Sequence, residues 1–500
     1  MMNRIFMDNG MEATEASYNE FPLEEYNSNP FIQTLPPLMN KQTIIKNLML
    51  PISFNVEERN WDGSYRLHMI QRLYKLFQPL PIHVDIWNVI FSLLYQGYIA
   101  RNPFDKEYRG YINETGKRII NRSFDINSRS NFRTTASCAT LIGYSGMGKT
   151  TTVNRILSNI PQIIVHNHYN DQHFNQIQLS HLTLQTPHNS SLKALTLQFF
   201  MKVDELLGTN TFQKHVSRNL STDAMLPLMG QVAHNIGLGM LVIDEIQHLQ
   251  NRGVQQMMNY FVTLMNSFGV PVLFIGTPAS YAIFQNEFRI ARRVSGNGEI
   301  IWNNMENGKE FRFLLESIWK YQWNQKFTPL NEELIKVFYE ETQGVSDLIV
   351  KLFVNVQMMA ISSGKEEFTA DMVNKVAKEQ FKLMKPMLEA IKSKNPYKMV
   401  QYEDLRRVEL SEGTAQKKDN SIPNAKKINK VAQELKQKQI RIPKTTIVPK
   451  ESKAKNIDYS EDDLRSLLKQ ASKSERSAYQ ILLEKGYIDN MRIWQEGVVK

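Results

Sequence analysis

The stretch that most constrains this chain is Leu-Ile-Gly-Tyr-Ser-Gly-Met-Gly-Lys-Thr at 141–150, which sets Gly143, Gly148, Lys149 and Thr150 in the spacing G-x-x-x-x-G-K-[ST]. The preceding residues 138–142 are short, apolar and β-prone, as a buried parallel strand should be, and residues 151–159 continue with a helical pattern. That strand–loop–helix context is the one the motif requires. The glycines let backbone N–H groups turn inward around a phosphate, and the helix N-terminus adds its positive dipole end. Gly143, Tyr144, Ser145, Gly146, Met147, Gly148, Lys149, Thr150 and Thr151 together form the expected cradle for the phosphates of ATP. Lys149 is expected to reach the β- and γ-phosphates, and the Thr150 hydroxyl to bind Mg2+. Glycine makes up only about 7% of ordinary sequence, so four fixed positions in this context rarely arise by accident.

A second stretch completes the chemistry. Residues 239–243 are apolar or glycine and end in Asp244 and Glu245. Asp244 is expected to hold Mg2+, directly or through water, and Glu245 to polarise the water that attacks the γ-phosphate. Such a pair can also be a simple helix cap. Thr277 ends the next apolar run, where it either senses the γ-phosphate or caps the following helix, since Pro278 suits the first helical position. Arg289, Arg292 and Arg293 follow. In an ATPase that assembles as a ring, one of them would reach the neighbouring subunit's γ-phosphate, which can be worth about 10³–10⁵ in rate. The alternative is a solvated basic helix face or one that contacts DNA.

Composition narrows the class. With 500 residues, 42% hydrophobic and 22% charged, the chain can bury a large core and should hold two to four domains. No run approaches 18 apolar residues and no apolar leader is visible, so neither a membrane span nor a signal peptide is expected. One cysteine, Cys138, excludes an internal disulfide framework and suits a reducing cytoplasm. Much of the net charge of +10 is in one stretch, 411–456, with twelve Lys or Arg against four Asp or Glu. It reads as a solvated linker or as a sequence-independent contact with nucleic acid phosphates. Lys214, His215 and Arg218 make a smaller basic cluster, either an exposed face or a DNA contact. His166, His168 and His173 near Asp171 have no metal-ligand spacing and read as polar loop residues.

Along the chain, 1–28 is polar and expected to be disordered, and 29–130 is a mostly helical N-terminal extension. Within it, three prolines make 29–38 an extended segment, and 61–77 and 83–94 have helical spacing. A nucleotide-binding domain at 131–308 alternates strands (162–165, 177–184, 238–245, 270–277, 300–302) with helices (192–207, 222–236, 254–268). This order predicts an α/β fold, a parallel sheet flanked by helices with ligands at the strands' carboxyl ends. A helical lid at 309–395 carries patterns over 311–325, 331–342, 346–362 and 369–383. A basic flexible linker at 396–457 and a partner-docking segment at 458–500 close the chain.

Together the phosphate loop, the Asp244–Glu245 pair, Thr277, the arginines and the lid resemble an AAA+ P-loop ATPase of the initiator-related clade. The likeness narrows with Asn-Pro-Phe-Ile at 29–32 and Leu-Pro-Pro-Leu at 35–38. It continues with Gly97-Tyr98, Arg-Asn-Pro at 101–103, Leu-Val-Ile-Asp-Glu-Ile-Gln-His-Leu at 241–249, Phe-Ile-Gly-Thr-Pro at 274–278, and 344–353. These stretches look like the TnsC family, regulator ATPases of target-selecting transposons. The resemblance covers about 29–395 and resumes weakly at 462–465 and 485–489. It implies a homo-oligomeric ring of ATP-bound subunits around double-stranded DNA in a bacterial cytoplasm. It also implies a target-site selector at the N-terminal part and transposase subunits, including a TnsA-like endonuclease, at 458–500, with hydrolysis dismantling the platform. Many AAA+ proteins place a sensing arginine in a Gly-x-x-Arg pattern of the lid. Here Asp347 stands three residues after Gly344, and Lys351 is the candidate substitute. A replication-type loader or motor ATPase is the alternative class, but no further helicase motif is present.

Overall fold

The strands are β1 (Arg4–Phe6), β2 (Glu12–Glu15), β3 (Cys138–Gly143), β4 (Ile163–Tyr169), β5 (Gln172–Leu179), β6 (His181–Gln185), β7 (Met240–Asp244), β8 (Val272–Gly276) and β9 (Glu299–Trp302). Five of them make a wholly parallel sheet in the order β6-β7-β8-β3-β9. The computed structural model describes residues 3–121, 134–188, 191–216, 222–249, 254–286, 298–393 and 402. All of them belong to the unit Met1–Ser411. The linker and docking segment proposed for 396–457 and 458–500 lie outside the described residues, Tyr402 excepted.

Alternate residues of the central strands serve two separate cores. Ala139 and Leu141, Met240 and Val242, and Leu273 and Ile275 face one side, packed with helix Pro81–Ile99, the helix Lys149–Leu157 after the phosphate loop, and the lid. Cys138 and Ile142, Leu241 and Ile243, and Val272 and Phe274 face the other, against helices Leu192–Leu207, Thr222–Asn235 and Val254–Phe268. With both faces covered, the two-residue period disappears into continuous apolar runs. Each large side chain buried there contributes about 1.5–3 kcal/mol. Cys138 is a small buried residue of the second core.

The expectation of a disordered 1–28 is corrected. β1 and β2 form an antiparallel hairpin, and β2 continues parallel to β4, with Thr14 opposite Ile164. A second sheet β1-β2-β4-β5 results. β1 and β2 are only three and four residues long and mostly exposed or half-buried, so they carry little apolar signal and composition read as disorder. The single strand expected over 177–184 is two, because Ser180 leaves one sheet for the other: its N–H donates to Gln162 O (2.9 Å) and its hydroxyl to Pro161 O (2.6 Å). The three histidines are not loop residues either. His166 and His168 lie on β4 and His173 on β5, with Asn170 and Asp171 in left-handed conformation at the turn.

The extended reading of 29–38 gives way at one point, a single helical turn Pro30–Gln33 whose N-cap Asn29 accepts from Phe31 N (3.0 Å). The run 61–77 is helix Gly63–Ile70 followed by a tighter turn Gln71–Lys75, and the next helix spans Pro81–Ile99, two residues past the stop expected at Gln96-Gly97. Asp62 caps the first of these by accepting from Ser64 N at 2.9 Å. The extension then locks onto the lid. The Arg66 guanidinium forms two bonds to Glu366, Nη1 to Oε2 at 2.7 Å and Nη2 to Oε1 at 2.8 Å. Trp323 Nε1 donates to Glu58 Oε2 at 2.8 Å, and the Arg59 guanidinium to Gln322 O at 2.8 Å.

Four buried histidines make this unit acid-sensitive. Burial holds His83, His166 and His181 down at about 4 and His234, next to Arg101, at about 3. In the unfolded chain each titrates near 6.5, so from that pH down the unfolded state binds protons that the native state refuses. Stability is therefore complete above about pH 6.5 and falls as pH drops toward 4, by about 3 kcal/mol for each residue. Circular dichroism against pH should show cooperative unfolding between pH 6 and 4. A flat signal to pH 4 would contradict the burial of these rings.

Candidate nucleotide-binding and hydrolysis site

The phosphate loop joins the end of β3 to helix Lys149–Leu157. Gly148, the residue before the helix, has φ 97°, a left-handed conformation that glycine adopts without strain. Tyr144 and Met147 are buried in the first core, so at these positions the loop offers its backbone rather than its side chains. The Lys149 ammonium donates to Gly143 O (2.7 Å) and Tyr144 O (2.9 Å), which draws it back across the loop. Ser145 and Thr151 are exposed and Gly146 is half-buried.

Sheet order brings the second stretch to the first. β8 lies between β3 and β7, so the end of β8 stands between the phosphate loop and Asp244. The Thr150 hydroxyl donates to Asp244 Oδ2 at 2.8 Å, and Asp244 is 2% exposed. Asp244 is fixed from two further sides: its Oδ1 accepts from Glu245 N (2.8 Å), and its carbonyl accepts from the Thr186 hydroxyl (2.8 Å) and N–H (3.0 Å). A hydroxyl and a carboxylate side by side are the hard oxygen donors that Mg2+ prefers, so the residues present fit that ion.

Glu245 has φ 57°, a left-handed conformation unusual for a residue with a Cβ, and it turns the chain out of β7. Its carboxylate is partly exposed, accepts from Gln247 Nε2, and lies 3.9 Å from His248 Nε2. Thr277 is buried and its hydroxyl has no hydrogen-bond partner among the described residues. The helix-cap reading is not what its side chain does, because no cap bond forms although Pro278 follows. A buried hydroxyl left unpaired costs about 1–3 kcal/mol, and a phosphate oxygen or its attacking water would satisfy it.

The lid reaches the same loop. Asp347 N donates to Gly146 O at 3.0 Å from the first turn of helix Ser346–Ser362. Lys351 Nζ is 2.6 Å from Asp347 Oδ2. Gly344, just before that helix, is held by its carbonyl accepting from Met305 N at 3.0 Å. The structure thus brings Lys149, Thr150, Asp244, Glu245 and Thr277 together with the loop glycines. Lys214 lies on the short helix Thr211–Val216, and Arg218, Arg289, Arg292 and Arg293 lie outside the described residues. Sequence reasoning missed two participants, Thr186 and Gln247. Both are polar residues on strand-end turns, and no spacing marks such a contact.

The five-stranded parallel sheet flanked by helices, with this loop at its strand ends, is the AAA+ P-loop fold. The family model for an AAA domain matches residues 132–284, from just before β3 to beyond β8. No curated protein matches the sequence. Among solved structures, the ORC1 protein of Aeropyrum pernix in complex with DNA is similar at 16% identity and a TM-score of 0.35, over 57% of this chain and 69% of that one. A Walker-type ATPase of Pyrococcus abyssi is similar at 14% identity and a TM-score of 0.33, over 59% and 77%. The RuvB Holliday junction branch migration motor of Thermotoga maritima follows at 13% identity and a TM-score of 0.28, over 54% and 67%. Among the described residues no helix is long and apolar enough to cross a membrane.

Proposed function

We propose that this chain is an ATP-dependent, DNA-binding regulator of DNA transposition whose ATP-bound subunits assemble as a ring on double-stranded DNA. The ATP switch rests on one observation: Thr150, Asp244, Glu245 and the unpaired Thr277 hydroxyl converge on the phosphate loop. The loop's backbone and Lys149 bind the phosphates, and Thr150 with Asp244 hold Mg2+. Bound there, Mg2+ supplies neutralising charge to the phosphate oxygens. Glu245 polarises the attacking water, Thr277 senses the γ-phosphate, and one of Arg289, Arg292 and Arg293 completes a neighbouring subunit's site. Hydrolysis then dismantles the ring.

The transposition reading rests on the sequence likeness to the TnsC family. The quoted stretches also meet one another in the fold. Asn29 Nδ2 donates to Tyr98 O at 2.7 Å, and Tyr98 OH to Gly237 O at 2.7 Å. The buried Arg101 guanidinium donates to the carbonyls of Gly97, Leu238 and Gly239. Two N-terminal stretches of the likeness are thus knotted together against the lead-in to β7, the strand that ends in Asp244. In this reading the N-terminal part meets the target-site selector, 458–500 meets a TnsA-like endonuclease, and Lys214 and Arg218 contribute to the DNA contact.

Forked duplex DNA tests the class. The proposal expects ATP turnover without strand separation. It also expects loss of endonuclease recruitment, with DNA binding kept, when 458–500 are deleted. ATP-driven unwinding would overturn it in favour of a motor.

A further inference from the structure

Between Glu245 and the end of β8 lies one side-chain amide. Gln247 Oε1 accepts from Thr277 N at 3.1 Å, and Gln247 Nε2 donates to Glu245 Oε2. We infer that Gln247 is a positioning residue that sets the Glu245 carboxylate in register with the end of β8, an inference that rests on reading Glu245 as the group that polarises the attacking water.

Chemistry alone fixes the direction of this amide. The Thr277 N–H can only donate and so must face Oε1, and the ionised carboxylate can only accept and so must face Nε2. Turned over, the amide would set donor against donor and acceptor against acceptor. The space it occupies is prepared as well. A Cβ on Gly276 would lie 2.6 Å from Ile246 Cγ2, 2.7 Å from Ser280 Oγ and 3.2 Å from Gln247 Oε1, so only glycine lets the turn close this tightly on β8.

The consequence is a mechanical link. The buried, unpaired Thr277 hydroxyl belongs to the same residue whose N–H holds Gln247. A group that draws on that hydroxyl displaces the strand end, and the amide carries the displacement to the carboxylate. Glu245 needs such a guide because its left-handed backbone leaves the side chain partly exposed. The two side-chain bonds of Gln247 run to Glu245 and to Thr277, so it acts on the carboxylate rather than on phosphate binding.

The test is ATP turnover by Gln247→Ala, Gln247→Glu, Glu245→Gln and the double variant Gln247→Ala/Glu245→Gln, with thermal melting to establish that each is folded. Gln247→Ala should lower kcat about 10–100-fold, the usual cost of removing an outer hydrogen-bond partner, while KM for ATP stays within about twofold. Gln247→Glu keeps an acceptor for the Thr277 N–H but sets two carboxylates face to face. Those repel each other, so its kcat should fall at least as far as that of Gln247→Ala while KM again stays within about twofold. The double variant should be no slower than Glu245→Gln, because Gln247 acts only through that carboxylate. An unchanged kcat for Gln247→Ala, a rise in KM in its place, or an equal further loss on the Glu245→Gln background would overturn the inference. A wild-type rate for Glu245→Gln would show that the reading of Glu245 had failed, and the inference falls with it.

Discussion

Glu245→Gln should bind ATP as the wild type does and hydrolyse it about 10²–10⁴-fold more slowly, the range typical of losing a positioned general base. The amide has the shape of the carboxylate but cannot take a proton or polarise water as an anion does. Nothing that holds the nucleotide is touched. Lys149 stays on the loop, and the Thr150–Asp244 bond, 2.8 Å long, is made by other atoms. The loss should therefore fall on kcat, equivalent to about 3–5 kcal/mol in the barrier, with KM moving only a few-fold. Phosphate release alongside titration with a fluorescent ATP analogue separates the two. A variant that turns over at the wild-type rate would remove Glu245 from the chemistry.

The second large effect lies away from the site. Arg66→Ala should destabilise the unit by about 3–5 kcal/mol, as breaking a buried ion pair does. Arg66 is 3% exposed and donates to Glu366, to Trp61 O (2.9 Å) and to Trp323 O (3.0 Å). Truncation strands the Glu366 carboxylate and two carbonyls among groups that cannot replace the guanidinium. Hydrogen bonds from that guanidinium hold the Glu366 carboxyl below its usual range, so the pair's contribution is present above that range and is lost as acid protonates Glu366. Arg66→Lys should recover only part, because an ammonium cannot reproduce the two-pronged geometry. The double variant Arg66→Ala/Glu366→Ala should cost less than the sum of the singles. Denaturant unfolding followed by tryptophan fluorescence measures each. A loss under 1 kcal/mol for Arg66→Ala would mean that the clasp between extension and lid is not a stabilising contact.

Much of the centre was legible because its signals are local. Helices Leu192–Leu207, Val254–Phe268 and Ser346–Ser362 begin and end where periodicity and turn residues put them. Strand β3 showed itself as an apolar run leading into glycine. Thr150 and Asp244, 94 residues apart, were paired through motif knowledge and meet at hydrogen-bond distance. What stayed hidden depends on distant partners. β2 looks like a polar terminus until it lies beside β4, some 150 residues on. The break at Ser180 is invisible in 177–184, because β5 and β6 share one composition and differ only in the sheet that each joins. Trp61 to Phe77 has a helical period, which cannot tell an α-helix from the tighter turn Gln71–Lys75 that ends it. Gln247 is the sharpest case, since its two partners lie on different strand ends and neither leaves a mark in the spacing.

The central claim is an ATP-gated DNA platform, and the direct measurement is binding of duplex DNA at moderate salt with ATP, with ADP and without nucleotide, for the wild type and Glu245→Gln. The account predicts cooperative binding with ATP, little with ADP or without nucleotide, and a longer-lived complex for Glu245→Gln because hydrolysis no longer releases it. Binding that ignores the nucleotide would contradict the gate and assign the DNA contact to the basic stretch 411–456. No binding under any condition would leave an ATPase without its DNA and end the transposition reading.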